Sequence, residues 1–250
     1  MGIYFYPKGQ EPKYVLRTFG IFDFTIAIPP GEEYHPEIAS VTFPKDAMLY
    51  GITPHAHTRG GSANVSIRYP DGREEMLIAL PRYDFSWQYE YFLAKPTKIP
   101  AGATIIARWT YDNSKRNPDN PDYKKLVNWG EQTTEEMLAT YLHYRWVDET
   151  VAHQTPEYEK MLQGNLMLGV MDDNLDGKLQ PAELRGQMGE GILKYLPIVD
   201  TNKDGAIDQK ELDAAMKLLP RGRRGGGGPP PPMPTKTTDA APATTPAGGR

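Results

Sequence analysis

Oxygen-bearing side chains recur at one fixed spacing in two places. Asp172, Asn174, Asp176, Lys178 and Glu183 hold positions 1, 3, 5, 7 and 12 of a twelve-residue run with Gly177 at position 6, and Asp200, Asn202, Asp204, Ala206 and Glu211 repeat it 28 residues later around Gly205. A hard divalent cation such as Ca2+ takes roughly six to eight oxygens, which alternate short side chains in one tight loop can supply. Position 7 lends only its carbonyl, so Lys178 and Ala206 are acceptable there, and glutamate at position 12 makes the bidentate contact. Glycine at position 6 permits the sharp turn. One such run alone reads as a solvated acidic turn. Two complete runs in about seventy residues predict two calcium sites, and Leu179 and Ile207 at position 8 are suited to joining the loops through a short strand bridge.

A softer set stands earlier. In His55-Ala56-His57, residues i and i+2 of an extended strand share a face roughly 6.5 to 7 Å apart, so both imidazoles can reach one ion. By itself such a pair reads equally as hydrogen-bonded surface histidines. Cysteine is absent, which excludes disulfides, Cys-ligated zinc, iron–sulfur clusters and a cysteine nucleophile. Any soft-metal site must then use His and Met.

The elements that position these residues follow two periods. Up to about residue 150, short β-branched and aromatic runs alternate between turn signals: Phe22 to Ile28, Ala47 to Thr53, Val65 to Tyr69, Met76 to Leu80, Thr104 to Tyr111 and Met137 to Val147. This spacing predicts a mainly β fold, an antiparallel jelly-roll-like sandwich over 1–150. From Tyr158 the apolar residues recur at helical spacing, predicting a small all-α pair over 151–220, with Gly186, Gly189, Gly191 and Pro197 making its connecting segment poorly helical. Residues 221–250 hold seven Gly and seven Pro and predict a disordered tail. The net charge of −4 includes +4 from that tail and −5 from 151–220. An acidic body argues against nucleic-acid binding and suits cations. No apolar run approaches a membrane span, and Met1 to Pro7 lacks the basic start and apolar core of a signal peptide.

The twin loops resemble the EF-hand family over about residues 156 to 219. The scarcity of helix in their connection favours a structural calcium module over a switch that opens a Met-rich groove.

The stretch from Ile28 to Tyr144 resembles the second catalytic domain of the copper type II, ascorbate-dependent monooxygenases. The likeness is carried by Ile28-Pro29-Pro30-Gly31-Glu32, His55 to Gly60, the turn Ile99-Pro100-Ala101-Gly102, and Gly130-Glu131-Gln132-Thr133-Thr134-Glu135-Glu136-Met137-Leu138-Ala139-Thr140-Tyr141. The resemblance implies a copper bound by His55, His57 and Met137, with Tyr141 near substrate. A thioether beside two imidazoles suits copper, since sulfur favours Cu(I) and imidazole accepts both oxidation states. His143, outside the family's ligand set, reads as structural or as orienting a ligand.

The family also has a preceding domain with a three-histidine, electron-supplying copper, whereas no histidine here precedes His35. Thr53 and Ala139 stand where peptide-hydroxylating members carry substrate-gripping groups, so peptide amidation is not implied. The expected reading is the oxygen-activating half of a copper-dependent C–H hydroxylase. It would use ascorbate or another reductant, an upstream or separate electron-donating copper domain and an unidentified small-molecule substrate, in an extracytoplasmic setting. The competing readings are a non-catalytic copper- or ligand-binding module with structural calcium, and a β domain without metal.

Overall fold

The computed structural model describes residue 2, residues 4–184 and residues 186–218. The tail expected at 221–250 lies outside the described residues. Ten strands precede residue 150: β1 (Arg17–Asp23), β2 (Ala27–Ile28), β3 (His35–Thr42), β4 (Ala47–His55), β5 (Gly60–Arg68), β6 (Glu74–Leu80), β7 (Tyr91–Ile99), β8 (Thr104–Tyr111), β9 (Val127–Asn128) and β10 (Leu138–Trp146). They form two antiparallel four-stranded sheets, ordered β1-β10-β4-β7 and β3-β8-β5-β6, while β2 pairs with β9. With the eight long strands renumbered along the chain, the sheet orders become 1-8-3-6 and 2-7-4-5, the double Greek key of a jelly roll.

Alternation accounts for the core. Every second residue of the facing strands turns inward, and Ile21, Val41, Leu49, Ile52, Val65, Ile67, Ile105, Trp109, Leu142 and Trp146 are buried between the sheets. Three departures from the expected strands have local causes. The run from Phe22 to Ile28 is broken, because Asp23 Oδ1 accepts Thr25 N–H at 2.6 Å and Thr25 O–H at 2.7 Å, an Asx turn that ends β1. The strand expected to stop at Thr53 runs through Pro54 to His55. Pairing of β4 with β7 ends at Ile52, so from there β4 has a single hydrogen-bonded neighbour and the missing proline N–H is tolerated. Strands β3 and β7 carry Pro36 and Pro96, which hide their alternation.

The remaining described elements are α1 (Pro156–Gly169), β11 (Lys178–Leu179), α2 (Gly186–Leu193), α3 (Leu196–Val199), β12 (Ile207–Asp208) and α4 (Gln209–Leu218). Helix α1 packs on β3, so tightly at its end that a Cβ on Gly169 would lie 2.1 Å from the Ser40 carbonyl oxygen. Asn165 Nδ2 donates to Thr42 O at 2.6 Å. Ser40, Ser66 and Ile106, which face away from the inter-sheet core, are buried all the same. No helix among the described residues is long and apolar enough to cross a membrane.

Candidate functional site

His55 closes β4 and His57 stands two residues beyond, their ring centroids 5.4 Å apart and nearly perpendicular. In both rings Nδ1 is engaged. His55 Nδ1 meets Gln88 Oε1 at 2.5 Å and His57 Nδ1 meets Glu135 O at 3.2 Å. A carbonyl oxygen only accepts, so each Nδ1 carries a proton, and in the neutral tautomer so fixed Nε2 is the atom with the lone pair. Among the described residues neither Nε2 has a hydrogen-bond partner. Burial holds the His57 imidazole below its ordinary pKa, against the raising effect of its bond to the Glu135 carbonyl, which favours the neutral, metal-binding form.

Met137 precedes β10, whose Ala139 lies opposite His55 in the ladder. The carboxylate of Glu136 joins the two segments: Oε1 accepts His57 N–H at 2.5 Å and Met137 N–H at 2.9 Å, and Oε2 accepts Arg59 N–H at 3.0 Å. Glu136 is wholly buried. Burial raises its carboxyl to about 7, although the three backbone donors and the Arg59 charge pull the other way. The buried Arg59 guanidinium donates to Asn113 Oδ1 at 3.0 Å and Thr134 O at 3.1 Å. The Met137 carbonyl accepts Tyr111 O–H at 2.9 Å. Thr58 Oγ1 and Trp129 Nε1 are buried without a partner among the described residues. Both border the site, Thr58 beside His57 and Trp129 bridged to Glu136.

Tyr141 lies opposite Thr53 in the ladder, two residues from the Ala139–His55 pair and therefore on the same sheet face as His55, with its ring edge-on to Phe22 at 5.5 Å. His143 is two residues further on, 2.9 Å from Thr53 Oγ1, 3.2 Å from Thr18 Oγ1 and 3.3 Å from Glu90 Oε1. Hydrogen bonding thus ties it to β1 and β4, and Glu90 approaches it from the loop before β7. The connection from β6 to β7, which supplies Gln88, also borders a cleft of about 190 Å3 lined by Leu80, Arg82, Tyr83, Asp84, Trp87 and Tyr91. Trp87 and Tyr89 stack there with both rings largely exposed.

The two acidic loops share one conformation. Leu175 and Lys203, both at position 4, have φ of 59° and 60°, and Gly177 and Gly205 have φ of 84° and 86°. Asp172 accepts the N–H groups of Asp176 and Gly177, and Asp200 those of Asp204 and Gly205. Glu183 accepts from Asn174 and Gln180, and Glu211 from Asn202 and Asp208. Strands β11 and β12 bridge the loops with Leu179 opposite Ile207. Lys178 Nζ lies 2.6 Å from Asp204 Oδ2. Among the described residues no three His, Asp or Glu side chains converge to hold a metal. The three carboxylates expected in each loop, Asp172, Asp176 and Glu183 in the first and Asp200, Asp204 and Glu211 in the second, are thus not brought together as a metal group.

The chain is thus a jelly roll with a His-x-His pair at the end of one strand and a methionine just before its hydrogen-bonded neighbour. Residues 19–161 match the family model of the copper type II ascorbate-dependent monooxygenase C-terminal domain, and the chain belongs to that family. His55, His57, Met137 and Tyr141 fall inside the matched range, and the acidic loops fall beyond it. No curated protein matches the chain. Among solved structures it is similar to the infectious bursal disease virus Gx strain (11% identity, TM-score 0.25) and Gt strain (13% identity, TM-score 0.24), with 87% of this chain and 57% of the viral chain covered in each case. The chain therefore spans a little over half the length of those viral chains. The residues present fit the family's metal, with two imidazoles whose Nε2 atoms have no hydrogen-bond partner among the described residues and a thioether on a segment tied to theirs.

The spacing of Glu135 and Glu136 from His57 could not mark their roles. The partners are 78 and 79 residues apart in the chain. Only the acidic pair directly before Met137 hinted at them.

Proposed function

We propose that the jelly roll is the oxygen-activating copper domain of a C–H hydroxylase, with His55, His57 and Met137 as ligands and Tyr141 beside the substrate. One observation carries this reading: both imidazoles are pinned through Nδ1 and offer Nε2, on a segment that shares a carboxylate with Met137. Copper held there would supply one-electron chemistry with oxygen, drawing electrons from ascorbate or another reductant through an upstream or separate donor domain. The chain's own residues would orient the imidazoles, hold the thioether and offer the Tyr141 face to a small-molecule substrate. We further propose that the two loops are an EF-hand pair holding two structural Ca2+ ions, with residues 151–220 as a module fixed to the sandwich, and that the protein works outside the cytoplasm, where millimolar calcium fills sites of modest affinity.

Anaerobic Cu(I) titration with X-ray absorption tests the copper site. The expected result is one copper with two nitrogen scatterers and one sulfur scatterer. Met137→Ala should lose the sulfur and Met76→Ala, on exposed β6, should keep it. No stoichiometric copper would overturn the proposal. Turnover is tested by oxygen consumption with ascorbate and a restored donor domain, and a rate no higher than that of free copper would leave a binding module.

A further inference from the structure

Both implied ligands outside β4 lie off the end of the sheet. The β4–β10 ladder stops at the pair His55–Ala139, while His57 is two residues past the end of β4 and Met137 one residue before β10. Nothing in the ladder itself sets the distance between these two backbones. The Glu136 carboxylate takes over at that point, with Oε1 accepting N–H from His57 and Met137 and Oε2 accepting N–H from Arg59.

A buried carboxylate is costly to desolvate unless donors surround it. Here three backbone donors do so, and the buried Arg59 charge lies nearby. Three N–H groups from two separate segments converge on one side chain, so a single carboxyl group fixes both backbones relative to each other. The adjacent Glu135 plays a different part, since its side chain is exposed and takes Gln132 N–H while its carbonyl engages the His57 ring. One residue orients the imidazole and the next sets the backbone beneath it.

We infer that Glu136 is the positioning residue of the metal centre, fixing the Met137 thioether against the His55–His57 pair by clamping both backbones with one carboxylate. The inference rests on the copper-domain reading above. It assigns Glu136 a role beyond filling the core, because any apolar side chain of that size could fill space but none could accept three N–H groups. Glutamine is the sharpest test, since its amide nitrogen must face at least one of those donors.

The experiment compares the full chain with its Glu136→Gln and Glu136→Asp variants. In metal-free wild type, amide hydrogen exchange should show His57, Arg59 and Met137 protected. In Glu136→Gln these three should exchange at least tenfold faster, while Ile52 and Leu142 inside the ladder hold their rates. On Cu(I) loading, Glu136→Gln should bind roughly 10- to 100-fold more weakly, the range for residues that orient ligands. It should also lose or disorder the sulfur scatterer while keeping both nitrogens, which a merely destabilised fold would not produce. Glu136→Asp should fall between. A wild type without copper–sulfur scattering overturns the copper reading and leaves the exchange data to judge the clamp. A wild type with sulfur scattering and a Glu136→Gln variant that keeps both sulfur and affinity overturns the inference. If Glu136→Gln does not fold, unprotected amides at the three positions in wild type overturn it equally.

Discussion

The Tyr83 hydroxyl brackets the peptide of Ala56, accepting its N–H at 3.0 Å and donating to its carbonyl at 2.8 Å. Ala56 separates His55 from His57, so one phenol holds the link between the two imidazoles. Burial pushes the Tyr83 hydroxyl up to about 12, which keeps it protonated and able to donate throughout the physiological range.

Tyr83→Phe removes both bonds and leaves the Ala56 amide without its partner. A buried orphan of this kind costs about 1–3 kcal/mol. Urea denaturation should show that loss. Cu(I) affinity should also fall, although no imidazole has changed. Stability lost with unchanged copper affinity would mean that the 55–57 segment is held by other means.

How much of this was legible in the sequence depended on chain distance. The repeated acidic loops were readable because every patterned residue of each sits within twelve positions, and the matching φ values of Leu175 and Lys203 show two unlike sequences adopting one loop. Inward-facing residues of β5, β8 and β10 were readable from alternation. The break at Asp23 was not, since an aspartate inside an aromatic run signals a turn only once Thr25 is seen bonded to it. Glu136 and Tyr83 were invisible for a stronger reason: their partners lie 79 and 27 residues away, and the relations arise only after β4 pairs with β10 and β6 folds back on β5.

Helix α1 is tied to the sandwich by one carboxylate. Glu159 Oε1 accepts Tyr144 O–H and Trp146 Nε1–H, both at 2.8 Å, and lies 3.3 Å from Arg17 Nε. Glu159→Ala strips two buried donors of their acceptor, and each lost bond of this type costs about 1–3 kcal/mol. Since a loss of 1 kcal/mol lowers Tm by roughly 2–4 °C in a chain of this length, calorimetry should record a fall of several degrees within one transition. A separate, earlier transition would show that α1 melts independently of the sandwich.

Asp23 gives stability a pH dependence of known sign. Burial, reinforced by the Glu37 charge, raises its carboxyl from 3.8 to about 7. Between about pH 4 and 7 the folded chain therefore keeps a proton that the unfolded chain has released, and stability falls as pH rises through that window. Asp23→Asn retains an oxygen for Thr25 and has no charge to bury. The variant should match wild type near pH 4 and exceed it by a margin that grows up to about pH 7 and then levels off. A stability difference that does not vary with pH would refute the assignment.

The acidic loops make the final case, because one of the ligands proposed in them is already engaged. Lys178 Nζ lies 2.6 Å from Asp204 Oδ2 across the paired loops, an ion pair that holds the Asp204 carboxyl below its usual range. If Asp204 is to ligate Ca2+, that ammonium competes with the ion. Lys178→Met should tighten the second site, and only modestly, by up to roughly fivefold in affinity, since exposed ion pairs contribute little. The first site uses only the carbonyl of residue 178 and should be unaffected. Glu183→Gln and Glu211→Gln should each weaken one site, and the double variant should abolish both. Binding would also stabilise the folded state, by about 2.7 kcal/mol per site at a hundredfold excess over Kd. Because Trp146 of β10 packs edge-on against Tyr158 of α1, tryptophan fluorescence should report that gain as a higher unfolding midpoint in calcium. Isothermal titration of the wild type and the four variants decides the matter, and unchanged calcium binding in the double variant would end the EF-hand reading.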